Sequence, residues 1–349
     1  MKILLIGNLG YLGPVVSTHL KKQNPNYYLV GLDTGFFYNK DKFSNTLLSI
    51  DQQIYGDIRK INLDFLDSFD AYIILAGISN DPMGNEFKNI TEEINYHATI
   101  KIINSIKNID TKKVIFASSC SIYGVFEGKA KREVDELNPL TVYAKSKVGI
   151  EKALSKFKNK KTIITCLRFA TACGMSPNLR LDLVLNDFVA NAKIFKKIKV
   201  LSDGTPWRPL IDVKDMAIAI EWALKRNSID LPSFLVVNTG FNNWNYQIKD
   251  LAFAVSKIIP NTVVEINNKA LPDKRSYNVD FTIFEKAASK FFRKHSLEKT
   301  INELNDGLKK ISFQDKNFRN SNFIRLNHLR HLIKEKKLSN NLYWTNNIS

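Results

Sequence analysis

The chain has 349 residues, is 44% hydrophobic and carries a formal net charge of +17. That apolar content supports a full globular core in one large or two modest domains. No run of uncharged apolar residues is long enough to cross a bilayer, and the N-terminus enters a strand pattern without a cleavable leader. A cytoplasmic setting with no membrane partner is therefore expected. The three cysteines, Cys120, Cys166 and Cys173, lack metal-ligand spacing, so no metal is expected. Lysines are spread over nearly every predicted helix and crowd only at 324–338, which argues against a nucleic-acid partner; the diffuse positive field suits an anionic small substrate.

In chain order, an apolar run at 2–6 leads into Gly7-Asn8-Leu9-Gly10-Tyr11-Leu12-Gly13, then a helical pattern over 11–23 and a second apolar run ending at Asp33. A buried strand, a glycine-rich turn and a helix start bring backbone N–H groups to a diphosphate, while an acid about 20 residues further on can accept ribose hydroxyls. This pattern predicts a dinucleotide site. Asp33 has no basic residue directly after it and favours NAD over NADP, because a carboxylate repels a 2′-phosphate.

Strand patterns follow near 53–55, 71–75, 112–117 and 161–167, with helical patterns near 88–108 and 139–157. Such alternation predicts an α/β fold with a doubly wound parallel sheet, whose ligands sit at the carboxyl ends of the strands. Beyond Arg168 the pattern loosens into helix 182–193, strand 198–201, a turn at 203–206, helix 213–224, strand 234–238 and helix 247–259. We expect a Rossmann domain over 1–170, completed by about 206–245. A smaller C-terminal α/β substrate-binding domain with an extension is expected from 171–205 and 246–349. For the stretch beyond about 285, a substrate-domain cap and an oligomer contact fit the sequence equally.

The segment richest in chemistry is Ser118-Ser119-Cys120-Ser121-Ile122-Tyr123-Gly124, followed by Thr141-Val142-Tyr143-Ala144-Lys145-Ser146-Lys147. Tyr143 and Lys147 are four residues apart on a helix expected to start near Pro139, which puts their Cβ atoms about 5–6 Å apart on one face. A lysine ammonium there is expected to lower the tyrosine pKa from its reference near 10 and make a usable base. A serine hydroxyl from the preceding strand end could bind the same substrate oxygen. The set suits removal of a proton from a sugar hydroxyl while hydride leaves its carbon for a nicotinamide.

With these motifs in order, the sequence resembles an extended short-chain dehydrogenase/reductase of the NAD-dependent epimerase/dehydratase family acting on nucleotide sugars, over residues 1 to about 285. The resemblance implies that Gly7, Gly10, Tyr11, Leu12 and Gly13 form the phosphate loop and that Asp33 is the ribose acid. It implies that Asp57 and Ile58 contact adenine, and that Leu75, Ala76, Gly77, Ser79, Asn95, Ser118 and Phe169 contribute to the cofactor site. Ser119, Tyr143 and Lys147 match the catalytic set, with Tyr143 and Lys147 also at the cofactor. Ser119, Thr171, Asn186, Arg208 and Arg275 fall to the substrate, the two arginines at its diphosphate.

Departures matter too. Members that are 4,6-dehydratases carry Asp-Glu directly after the catalytic Ser/Thr, where this chain has Cys120-Ser121, which disfavours dehydration. Thr171 stands in place of a common asparagine and Asp212 in place of a common histidine, so local substrate contacts differ from standard sugar 4-epimerases. The resemblance implies a UDP-glucose 4-epimerase-like enzyme acting through transient oxidation at C4 of a nucleotide sugar. The alternatives are a nucleotide-sugar 4-dehydrogenase or 4-keto-sugar reductase with net redox, and, further away, a non-catalytic NAD-binding regulator. A homodimer through helices 88–108 and 139–157 is implied by the resemblance alone.

Overall fold

The computed structural model describes residues 1–38, 49–62, 64–106, 112–125, 128–157, 161–229, 231–267, 269–270, 276–291 and 295–345. The chain begins β1 (Lys2–Ile6), α1 (Gly13–Gln23), β2 (Tyr28–Asp33), β3 (Gln52–Tyr55) and β4 (Ala71–Ile74). Next come α2 (Asp81–Glu86), α3 (Lys88–Glu92), a π-helical turn at Glu93–Ala98, and α4 (Thr99–Ser105). Then β5 (Lys113–Ser119), α5 (Val142–Leu154), β6 (Ile163–Phe169) and β7 (Thr171–Cys173) lead to α6 (Val184–Phe195), β8 (Lys197–Val200), β9 (Trp207–Asp212) and α7 (Val213–Lys225). The remainder is β10 (Phe234–Thr239), β11 (Asn245–Gln247), α8 (Ile248–Ile258), β12 (Val263–Ile266), α9 (Thr282–Ala287), α10 (Leu297–Lys310) and α11 (Arg325–Lys334).

Seven strands form one parallel sheet in the order β10-β6-β5-β4-β1-β2-β3. Its central strands read as unbroken apolar runs because helices cover both faces. Along β1, Ile3 and Leu5 enter one core cluster with Val16 and Leu20 of α1 and Ile220 of α7. Leu4 and Ile6 point the other way, into a cluster with Ile102 of α4 and Ile150 of α5. The strand order reverses between β1 and β4, since β2 and β3 continue one way and β5, β6 and β10 the other. A crevice at that reversal is where open α/β sheets bind ligands.

Three shorter strands form a second sheet, β11-β9-β7, and β8 pairs with β12 in a third. Between them lies a further core of Leu185, Val189, Trp244, Leu251, Leu304 and Leu308, from 171–205 and 241–318. The last segment departs from the expected grouping of 246–349. Leu329 and Leu332 of α11, with Leu338 and Leu342, are buried against the nucleotide side of the main sheet. Apolar residues on one face of this short helix dock there, while Leu304, Leu308 and Phe318, also beyond 285, join the second core.

Two element boundaries also differ. The helix expected from Pro139 starts at Val142, because the Thr141 hydroxyl accepts the Ala144 N–H at 3.1 Å and caps it. The single helix expected over 88–108 contains the π turn, a feature that carries no periodicity signal of its own. Among the described residues no helix is long and apolar enough to cross a membrane, and no cluster of metal-ligating side chains occurs. All three cysteines are free and buried.

Candidate active site

The crevice opens into a cavity of about 1170 Å³. That exceeds the roughly 300–1,000 Å³ of single-ligand sites and leaves room for a dinucleotide and a second molecule. Gly7, Gly10, Tyr11 and Leu12 line one end, beyond the carboxyl end of β1. Gly7 has φ +90° and hydrogen-bonds Leu32 O, and a Cβ on it would lie 2.5 Å from the Ala76 nitrogen on β4's turn. Gly13 does not line the cavity; a Cβ there would sit 2.2 Å from Asn8 O, so glycine lets the helix start close against the loop. Pro14 pre-sets the first turn of α1, no side chain caps it, and no acid occupies it. Pro14 has no N–H and Val15 and Val16 donate to Leu12 O, so what the uncapped helix start offers an anion is its dipole.

Asp33 lines the same end. Its carboxylate accepts Leu9 N–H at 2.9 Å and Gly35 N–H at 2.8 Å, which fixes it at the ribose position while burial raises its pKa. These residues fit an NAD molecule: a glycine-rich cradle for the diphosphate, and a held carboxylate for ribose hydroxyls. Asp57 and Ile58 line the adjoining wall. The Asp57 carboxylate is already taken by Arg59, with Nε 3.0 Å from both oxygens.

Leu75, Ala76, Gly77 and Ser79 border the cleft, and Asn95 does not. Instead Asn95, on the π turn, clasps the Ile78 backbone, accepting its N–H at 2.7 Å and donating to its carbonyl at 3.0 Å. It positions the β4 turn. Phe169 and the Ser118 backbone region also border the cavity, but the Ser118 hydroxyl turns away to donate to Glu151 Oε1 at 2.5 Å.

Ser119, Tyr143 and Lys147 share one wall of the cavity. Ser119 ends β5 and caps the following turn, accepting Ser121 N–H at 3.2 Å. Lys147 Nζ donates to Ala117 O at 2.7 Å and lies 5.4 Å from the Tyr143 ring centroid. Burial pushes the Lys147 ammonium down to about 8. The expected drop in the Tyr143 pKa is corrected: burial pushes the phenol up to about 12, opposed by the Ser119 hydroxyl and the Arg180 charge. Burial outweighs any lowering by Lys147, whose own charged form burial also disfavours.

Thr171 and Arg208 also line the cavity, with Tyr277; the Arg208 guanidinium stacks 5.3 Å from that ring. Asn186, expected at the substrate, is fully buried and does not border the cavity. Its amide accepts Gly174 N–H at 3.0 Å and donates to Arg180 O at 2.9 Å, so it shapes the loop behind the site. Arg275 lies outside the described residues. Cys120 is buried, donating to Arg168 O at 3.0 Å, whereas Ser121 borders the cavity.

Three residues escaped the sequence reading. Arg180 borders the cavity, paired with Asp182 at 2.9 Å and donating to the Ser79 hydroxyl at 2.9 Å. Arg325 borders it from α11. Glu151 forms a buried pair with Arg168 at 2.8 Å and anchors α5 to β6. Its signal was available, because Tyr143, Lys147 and Glu151 recur at intervals of four on one helical face.

A parallel sheet with its glycine cradle at the switch point and a Ser, Tyr and Lys wall beside it defines an α/β protein of the dinucleotide-dependent short-chain dehydrogenase/reductase type. Residues 3–238 match the model of the NAD dependent epimerase/dehydratase family, and the chain belongs to that family. Its cofactor is NAD. Among curated relatives, UDP-glucose 4-epimerase of Lactobacillus helveticus is 25% identical over 295 residues, covering 75% of this chain and 84% of the relative. Protein CapI of Staphylococcus aureus is 26% identical over 239 residues, 65% of this chain and 70% of the relative. Among solved structures, UDP-glucuronic acid 4-epimerase from Bacillus cereus, in complex with UDP-glucuronic acid and NAD, shares the fold. Its TM-score is 0.75 at 23% identity, covering 89% of this chain and 100% of that one.

Proposed function

We propose that the protein epimerises a nucleotide sugar through transient oxidation at C4. The observation that carries this reading is that Ser119, Tyr143 and Lys147 line one cavity together with the glycine cradle and Arg208. NAD, when bound, supplies the acceptor and donor of hydride. Tyr143 in its phenolate form takes the proton from the sugar hydroxyl and, as the phenol, later gives it back; with the phenol pushed up to about 12, turnover should rise with pH as that form is populated. Ser119 holds that hydroxyl, and Lys147, one helical turn along α5, adds positive charge near the phenol in its protonated form. Arg208 faces the same space and holds the substrate diphosphate. The curated 4-epimerase relative supports this choice of reaction. Dehydration would need an acid following Ser119, and Cys120 is buried while Ser121 faces the cavity.

Tyr143→Phe tests the proposal: turnover of a panel of nucleotide sugars, followed by product NMR, should vanish while NAD binding is retained. Near-normal turnover in that variant would sink it. Absorbance at 340 nm separates the net-redox alternative, since stoichiometric cofactor conversion identifies a 4-dehydrogenase or 4-keto-sugar reductase. The homodimer through helices 88–108 and 139–157 belongs with this proposal, and sedimentation of the purified chain reads its mass directly.

A further inference from the structure

The C-terminal segment converges on the adenosine end of the cleft. Its Trp344 donates to Thr34 O at 2.7 Å, and the His328 ring nitrogen Nε2 lies 2.7 Å from Phe36 O. Arg59, which also holds Asp57, donates to Asn341 O and Leu342 O, each at 2.8 Å. The loop after Asp33 and the turn at Asp57, the two walls of the adenosine site, are therefore both tied to residues 328–344.

Arg325 sits at the inner edge of this strap. It is 4% exposed, its guanidinium lies 4.1 Å from the Phe37 ring centroid, and Nη2 donates to Asn178 O at 3.0 Å. Among the described residues no carboxylate is within ion-pair distance, and its other donors have no protein acceptor. The nearby acids are committed elsewhere. Asp33 holds two backbone N–H groups, and Asp182 holds Arg180 through bonds of 2.9 and 3.0 Å. Arg325 nevertheless borders the cavity, close enough to Asp33, Asp182 and Arg180 to feel their charges. A guanidinium presents five donors and cannot shed its charge at neutral pH, so burying it with one acceptor carries a large desolvation cost unless an anion completes the set.

We propose that Arg325 is a cofactor-binding residue delivered by the C-terminal strap, donating through its free N–H groups to the diphosphate oxygens of the bound dinucleotide. The glycine cradle meets that diphosphate from the sheet side, and Arg325 meets it from the strap. The inference rests on the NAD site and not on the sugar reaction, so it stands or falls without reference to epimerisation.

Calorimetric titration of NAD into the full, nucleotide-free chain tests it. Arg325→Met should raise Kd about tenfold or more and flatten its salt dependence, with Arg325→Lys intermediate. Arg330→Met, on the same helix as Arg325, removes a surface pair with Glu86 of α2 and should leave Kd unchanged. The nucleotide-free Arg325→Met chain should melt no lower than the wild type, because it loses an incompletely paired buried cation. Wild-type affinity in Arg325→Met would overturn the proposal. So would equal losses in the Met and Lys variants accompanied by a lower melting temperature, which would mark a purely structural arginine.

Discussion

Burial moves the two ionisable groups of the Tyr143 and Lys147 pair in opposite directions, the phenol up to about 12 and the ammonium down to about 8. Both shifts favour the neutral forms, as desolvation must. For Lys147 the ordinary value is 10.5, so between about pH 8 and 10.5 the unfolded chain binds more protons than the folded one. Stability contributed at this position is therefore lowest below about pH 8 and recovers as pH rises towards 10.5. Urea unfolding of the wild type and Lys147→Met at pH 7.5 and pH 10 checks the sign. The variant's advantage should shrink at the higher pH, and an offset that stays constant would contradict a depressed lysine. Gly13 makes a steric prediction of the same scale. Gly13→Ala places a Cβ 2.2 Å from Asn8 O, so the start of α1 must back away from the loop and NAD titration should show a loss of affinity.

Helix α5 carries both catalytic candidates, and the Glu151 and Arg168 pair fixes its seat. Both side chains are 6% exposed, and Arg168 also donates to the Tyr123 hydroxyl at 2.8 Å. Removing one member of a buried pair strands the other, at a cost on the order of 3–5 kcal/mol. Glu151→Ala should lose about that much in urea unfolding, and a loss well under about 1 kcal/mol would show that α5 is held by packing alone. At this scale the chain was largely legible. Unbroken apolar runs marked β1, β2, β4, β5 and β6, and the Thr141 cap explains why α5 begins later than Pro139 suggested. What escaped was the π turn that lets Asn95 clasp Ile78: it breaks a helical repeat by a single residue, and its purpose is a partner 17 positions away.

Across the whole molecule, the cofactor cleft gathers residues from both ends of the chain, with Gly7 and Asp33 from the start and Arg325 from the last turns. Anything that binds this assembled site and not the unfolded chain stabilises the fold: NAD at 100 times its Kd should add about 2.7 kcal/mol. A thermal melt that does not move with saturating NAD would contradict the site. NADP should bind at least about tenfold more weakly, because the Asp33 carboxylate is pinned by Leu9 and Gly35 and cannot withdraw from a 2′-phosphate. Equal affinities for the two cofactors would refute that assignment.

By itself the sequence determined the parallel sheet, the glycine-rich turn after β1, the acid that ends β2 and the Tyr-x-x-x-Lys helix, because each is written in short-range periodicity or spacing. Only the tertiary structure decided that Asn186 braces a loop behind the cavity, that Cys120 faces the core, that burial outweighs Lys147 at the Tyr143 phenol, and that the C-terminal segment lies on the nucleotide side. Those outcomes depend on desolvation and on contacts between residues more than a hundred positions apart, such as Arg325 with Asn178 and Trp344 with Thr34. No local pattern encodes such contacts.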